Sequence, residues 1–415
     1  MKAGGFSLES QTVSFIDWKI IVYTLILLLA GMFSLYSATY GSNMQESFNR
    51  QVISMGIGIL GALVLVFLPK NLMRNLAVVF YGISLIMLVA VLFIGDEVYG
   101  TKGWIRFAGF SLQPAEFAKF GVIVMLAYFL SSKGTDISNI RDFSISSLIV
   151  LVPIVLIFLQ PDHGTSSVLL AIFFGILFWS GFSKLFLYFI VSLPFIVILS
   201  LKGFWFMSGS VLFFSVIAVF FRNNWISKGL VIGVFIVFGY IAPVLYNGLL
   251  DHQKSRVESF LNPGSDPRGQ GYNVIQSMMA VGSGGLTGKG FLQGTQTQLR
   301  YIPMQWTDFI FSVPNEEFGF IGGFVILLFF GLLVLRILNA ANESDDKFYS
   351  IAIFGIASTF LYHIIINVGM VIGLVPVMGI PLPFLSYGGT SMIMNLAFIG
   401  FILNAYRNHK RKRLV

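Results

Sequence analysis

The chain contains no cysteine, which excludes disulfides, thiolate nucleophiles and cysteine-based metal sites. Charge is scarce as well: Asp, Glu, Lys and Arg make up 11% of the residues, where soluble domains carry about 25%. That scarcity excludes the two or three soluble domains that 415 residues could otherwise supply. Histidine is rare and scattered (His163, His252, His363, His409), without the spacing of a structural zinc site. No spacing supports a Ser–His–Asp arrangement either. Residues 1–17 lack a charged stretch leading into an apolar run and a small-residue cleavage site. The first apolar run therefore reads as a retained span rather than a cleaved signal.

What is present is apolar. Hydrophobic residues make up 56% of the chain and mean hydropathy is +0.85. A hydrocarbon core takes about 20 mostly apolar residues to cross, and such runs recur throughout. Spans are expected near 18–38, 51–69, 74–94, 115–131, 145–160, 163–181, 185–201, 204–221, 228–249, 315–338, 348–374 and 388–406. The expected fold class is all-α: a single polytopic transmembrane helical bundle over 1–415 with twelve spans.

An even count puts both termini on one side, and the basic tail Arg407–Arg413 makes that side cytoplasmic. With each charge assigned to its nearer face, sixteen Lys/Arg and seven Asp/Glu fall inside, ten and eleven outside. The inner face is thus net +9 and the outer −1, which recovers the overall +8. The tail reads as an anchor facing anionic lipid, not as a nucleic-acid patch.

Three outer segments interrupt the pattern. Gly95–Pro114 is polar and aromatic. Asp251–Pro314 is long and rich in Gly, Gln and Asn, and long loops tend to be functional. Pro376–Gly389 is too apolar for a solvated loop and too rich in Pro and Gly for a helix. Such backbone is tolerated at membrane depth only when buried in protein or lining a cavity. The inner loops are short, so the functional face is expected outside.

Ser283–Gly290 looks like a phosphate loop but fails, because Ser283 stands where the leading Gly belongs and Gly290 where Ser or Thr should follow Lys289. Loop flexibility is the reading expected there. Charges at the membrane boundary carry more, because they are costly. Glu116 and Lys119 lie three apart on one helical face: either a self-satisfied pair or a site for an anionic ligand. Trp104 and Arg106 just upstream would suit such a ligand with an aromatic platform and a cation. Asp162 either caps a helix or faces the site. Asp266–Asn273 is turn chemistry. Asp308 precedes Phe309, Ile310 and Phe311, a setting in which desolvation raises a carboxyl pKa toward general-base duty; the alternative is an ordinary loop aspartate.

Taken together, Lys102–Arg106, Gln113–Lys119, Gln160–Thr165, Phe260–Asn273, Gln276-Ser277, Gly294–Leu299, Thr307–Phe311, Glu316–Gly319 and Pro381–Gly389 resemble the SEDS family (shape, elongation, division and sporulation). The motifs occur in family order across nearly the whole chain. The Gln-Thr-Gln-Leu run resembles the RodA branch more than FtsW. The resemblance implies a peptidoglycan glycosyltransferase that polymerises lipid II at the outer face of the bacterial cytoplasmic membrane during cell elongation. Asp308 falls on the family's essential loop aspartate. Substrate-binding candidates are Trp104, Arg106, Gln113, Glu116, Lys119, Asp162, Arg256, Gln276, Arg300 and Ser386. The implied partners are lipid II, undecaprenyl diphosphate, a class B penicillin-binding protein and other elongation-complex membrane proteins, with no nucleic acid. No organic cofactor is expected, and Mg2+ or Mn2+ bridging diphosphate and a carboxylate suits the chemistry.

Two features depart from the family. Members usually have ten spans, so a surplus hairpin is expected over 184–228. His163 also stands where many relatives carry an apolar residue. The rival function is a lipid II flippase or transporter. Transporters set charges near the midplane at broken helices within repeats, whereas here charges gather at the outer edge and no repeat is visible. A pure scaffold for a transpeptidase would leave the outer carboxylates without a task.

Overall fold

A computed structural model describes residues 16–42, 44–98, 101–107, 110–248, 260, 264 and 270–412. All twelve expected spans are helices: α1 Trp18–Thr39, α2 Gln45–Phe67, α3 Lys70–Ile94, α4 Pro114–Leu130, α5 Ile140–Phe158, α6 His163–Trp179, α7 Lys184–Ser200, α8 Phe204–Val219 and α9 Trp225–Asn247. After the long loop, which carries α10 (Gln270–Ser283) and the one-turn α11 (Thr295–Gln298), come α12 Ser312–Glu343, α13 Lys347–Val371 and α14 Gly389–Lys412. Eight of the described helices are long and apolar enough to cross a membrane. The chain is a multi-pass membrane protein. Side chains such as Phe93, Trp205 and Phe220, each about four-fifths exposed, turn outward as lipid-facing residues must.

An all-helical reading missed a small sheet. β1 (Asp96–Val98), β2 (Thr101–Phe107) and β3 (Phe110–Leu112) form an antiparallel meander in the order β1-β2-β3. Asp96 pairs with Trp104 and Arg106 with Ser111. The β-branched and aromatic residues of this segment fit a pleated surface, but the run is short and its alternation is masked by Gly103.

Helices approach closely where a residue is small, the usual means of packing in lipid. A Cβ on Gly400 of α14 would lie 2.6 Å from the Ala62 carbonyl of α2, and one on Gly58 of α2 would lie 2.6 Å from Leu396. Around this core, α13 packs on α6 and α12, and α12 on α1. The helices of the 184–228 region, α7 and α8, pack with α9 around Tyr188, Phe189, Phe214 and Phe235, and this group touches the core chiefly through α6. Lys228 donates to the Val219 carbonyl (2.7 Å) and lies over the Trp225 ring, tying α9 to the end of α8.

Two stretches of non-helical backbone position the site. Residues 376–388 are non-helical yet buried at Ile380, Leu382, Phe384 and Leu385, as expected for a segment packed inside protein. Side chains satisfy its polar backbone. Gln51 of α2 donates to the Ser386 carbonyl and accepts from Gly388 N–H, His363 of α13 bonds the Pro381 carbonyl, and Asn367 of α13 donates to the Ile380 carbonyl.

The second stretch is the start of α12, broken at Gly319 (φ +66°). Here the glycine-rich loop is not flexible punctuation but a packed partner. Lys289 and Gly290 N–H donate to the Glu316 and Glu317 carbonyls, while Phe320 and Ile321 N–H donate to the Gly285 and Leu286 carbonyls. A Cβ on Gly288 (φ +81°) would meet the Glu317 carbonyl at 2.1 Å. Gly288→Ala is therefore expected to destabilise the protein by at least about 1–2 kcal/mol, read as a lower melting temperature in detergent. An unchanged melt would show that the contact is loose.

Candidate functional site

Asp308 lies in the turn leading into α12, followed by the buried Phe309, Ile310 and Phe311. Three successive carbonyls fix this turn. Tyr387 N–H donates to Trp306 O (2.8 Å), Ser386 Oγ to Thr307 O (2.6 Å) and Asn367 Nδ2 to Asp308 O (2.8 Å). The first two donors come from the non-helical segment and the third from α13. The carboxylate lies against the same segment: a Cβ on Gly379 would be 3.6 Å from Asp308 Oδ2. Burial, reinforced by the like charge of Asp162, pushes the Asp308 carboxyl up to about 6.

Asp162 caps α6, accepting from Thr165 N–H (2.9 Å) and Thr165 Oγ1 (2.8 Å). It also accepts from Gln113 Nε2 at 3.2 Å. The capping reading holds, and the same carboxylate is close enough for its charge to act on Asp308. Gln113 N–H donates to Thr390 of α14, which fixes the end of the sheet beside the acids.

Glu116 and Lys119 are 3% and 2% exposed and paired at 2.8 Å. Lys119 Nζ also lies 3.3 Å from His363 Nε2, whose Nδ1 is 2.8 Å from the Pro381 carbonyl. An ammonium can only donate, so Nε2 accepts and Nδ1–H donates. The two charges pair with each other, although Glu116 Oε2 is buried without a hydrogen-bond partner, and through His363 the pair also reaches the non-helical segment beneath Asp308.

The other candidates are more dispersed. Arg106 is exposed and 3.5 Å from Asp96, with Trp104 partly exposed on the same strand. Arg300 is exposed and donates to the Gly41 carbonyl at 2.5 Å, while Gln276 is partly exposed on α10. Ser386 is buried, and its hydroxyl both donates to Thr307 O and accepts from Leu382 N–H (2.7 Å). Arg256 and most of the Phe260–Asn273 motif lie outside the described residues. Among the described residues no three of His, Asp and Glu converge as metal ligands, so an ion here would depend on phosphate oxygens for most of its shell.

Four residues that build this region were not among the catalytic or binding candidates, although Glu316 and Glu317 fall in the Glu316–Gly319 motif. Glu316 is fully buried and accepts from Lys289 Nζ (2.7 Å), Gln296 N–H (2.8 Å), and Thr297 N–H and Oγ1 (2.9 and 2.8 Å). Glu317 accepts from Ser37 of α1 and from Leu292 N–H. Two acids opening a membrane helix are a readable signal. His363 was passed over for lack of ligand spacing, and Asn367 is one polar side chain in a long apolar run. Leu292, Arg300, Met304 and Phe384 all adopt positive φ. The strain gathers on the two segments that flank Asp308, as it tends to at functional sites.

The model of a family described as cell cycle protein, covering FtsW, RodA and SpoVE, matches residues 14–213 and 206–411. Stage V sporulation protein E of Bacillus subtilis is 34% identical over 400 residues, covering 94% of this chain and 97% of that one. The peptidoglycan glycosyltransferase RodA of Treponema pallidum is 30% identical over 425 residues, covering 94% and 98%. In three dimensions the chain resembles one from a peptidoglycan synthase complex studied for coordination of polymerization and crosslinking. Its TM-score is 0.73 at 30% identity, covering 95% of this chain and 98% of that chain. It also resembles Thermus thermophilus RodA, with a TM-score of 0.63 at 25% identity, covering 95% and 97%.

Proposed function

The chain belongs to the FtsW, RodA and SpoVE family and is a peptidoglycan glycosyltransferase, and from that premise we propose that it polymerises lipid II with Asp308 as general base. The observation that carries the assignment is a carboxylate pushed up to about 6 in a turn clamped through three consecutive carbonyls. A base poised near the working pH combines the right protonation state with driving force for proton transfer.

Asp308 takes the proton from the acceptor sugar's 4-hydroxyl. That oxygen bonds to the donor's anomeric carbon with inversion, and undecaprenyl diphosphate leaves with the bonding pair. The leaving group is already charged, so it calls for cations rather than a protein acid. Arg106 and Arg300 are exposed on the outer loops and available to it, with Arg256 a further candidate by sequence. Lys119, buried against Glu116, acts through the non-helical segment. A Mg2+ or Mn2+ ion arriving with the diphosphate would add charge neutralisation. The partner is a class B transpeptidase in the elongation machinery, in keeping with the synthase complex that the fold resembles. Other membrane proteins of that machinery are further partners.

The proposed address is the bacterial cytoplasmic membrane, with termini inside and the site outside. The charged contacts sort the groups into two faces, as that topology requires, while the orientation itself rests on the basic tail. Asp17–Arg336, Lys70–Asp346, Arg336–Glu343 and Asp345–His409 join inner groups. Glu46–Arg50, Asp96–Arg106, Glu116–Lys119 and Lys289–Glu316 join outer ones. A reporter active only outside the membrane, fused at residue 290, should give signal, and at residue 410 none; the reverse pattern would overturn the orientation. Lipid II supplied to the purified protein in detergent should yield glycan polymer. Movement of lipid II across liposomes without polymer would instead mark a flippase.

A further inference from the structure

We infer that Asn367 is a positioning residue for the Asp308 carboxylate: its amide ties the backbone of Asp308 to that of Ile380 and so fixes the base against the non-helical segment. This rests on the reading of Asp308 as general base and assigns the residue that holds it.

Asn367 is fully buried on α13, and Nδ2 donates to Asp308 O and to Ile380 O, both at 2.8 Å. Its Oδ1 is buried without a partner. An orphaned acceptor is costly, and a flip of the amide would not cure it, because oxygen would then face two carbonyl oxygens. The side chain is therefore locked by its two-donor task. The other clamps on the turn, from Tyr387 N–H and Ser386 Oγ, both come from residues 376–388, which Gln51 ties to α2; of the three clamping donors only Asn367 stands on a membrane helix. Asn367 refers both stretches to the transmembrane bundle. His363, one turn earlier on the same helix face, bonds the Pro381 carbonyl and extends that anchorage. Both hydrogen bonds of the Asn367 side chain go to backbone carbonyls, so its effect on chemistry runs through where Asp308 sits.

A small misplacement of a catalytic group can cost about 10²-fold in rate. Full-length Asn367→Ala, assayed with lipid II in detergent, should lose about that factor in kcat while KM stays near wild type. The acid limb of its rate–pH profile should also move to lower pH. A released Asp308 is better hydrated and farther from Asp162, the charged group that faces it. A purely structural role would lower the amount of folded enzyme and leave that limb in place.

Wild-type kcat, or a lower kcat with an unmoved limb, overturns the assignment. Should Asn367→Ala not fold, Asn367→Ser, which keeps one donor, is read the same way; failure of both to fold makes Asn367 a folding residue and sinks the proposal. Asp308→Asn is run alongside. If it still polymerises, the general-base reading is what fails. If it is inactive while Asn367→Ala matches wild type, only the positioning role falls.

Discussion

Asp308→Asn is expected to leave a folded protein that makes almost no glycan. A general base contributes about 10²–10⁴-fold, and the amide keeps the shape of the side chain while losing the basic oxygen. The clamps on this turn act on backbone carbonyls, which the substitution leaves untouched. Binding of lipid II should persist, because in the proposed mechanism cations rather than Asp308 hold the diphosphate. Long polymer from the variant at the wild-type rate would remove Asp308 from the mechanism and bring Asp162 or Glu116 forward.

The pH dependence follows from the same carboxyl. Its folded-state value of about 6 lies above its ordinary 3.8, so wild-type activity should fall as pH drops through about 6. For stability the sign is reversed. A raised carboxyl favours the fold while protonated, and that contribution disappears as pH rises from about 4 through about 6. Above that window the ionised group burdens the fold, so Asp308→Asn should melt no lower than wild type at neutral pH. A marked drop in its melting temperature would mean that the carboxylate is structural.

Glu316→Ala should produce the largest loss of stability. Its carboxylate is fully buried and serves an ammonium, two backbone N–H groups and two hydroxyls. Removing one member of a fully buried pair costs about 3–5 kcal/mol; Lys289 is 25% exposed, so the loss should fall at or below the lower end, carried by the buried N–H and hydroxyl donors left unanswered. The loss should fall on residues 284–298, which dock on the broken start of α12, and show as faster proteolysis there with a lower melting temperature. Glu316→Gln keeps an acceptor oxygen and should retain part of the stability. A Glu316→Ala protein that melts and resists protease like wild type would show that the loop is held by glycine packing alone.

The helical frame was legible because lipid forces it: each span must satisfy its own backbone, and runs such as 74–94 admit no other reading. The unusual Pro376–Gly389 segment announced itself by composition, and Asp308 by its apolar sequel. Other features depend on partners distant in the chain. Nothing local says that Gln51 will cap residue 388, or that Gly288 will press on Glu317, 29 positions later. The loop glycines read as flexibility because chain freedom and close approach leave the same mark on a sequence. Glu116 and Lys119 were legible as a pair, but their depth was set by α13, which brings His363 against them. The surplus segment was read as a two-helix hairpin, and the association of α9 with α7 and α8 depends on aromatic contacts that hydropathy does not encode.

The Glu116–Lys119 pair also bears on how the protein enters the membrane. Its two charges sit one turn apart on a single helix, so they can neutralise each other as soon as α4 coils, before any neighbour has arrived. The segment can therefore be delivered into the bilayer as a dipole rather than as two separate ions, a far smaller barrier. His363 and the bundle then close over a charge pair that is already made. Separating the two acts, local neutralisation first and burial afterwards, lets a helix with an ionic interior be synthesised one span at a time.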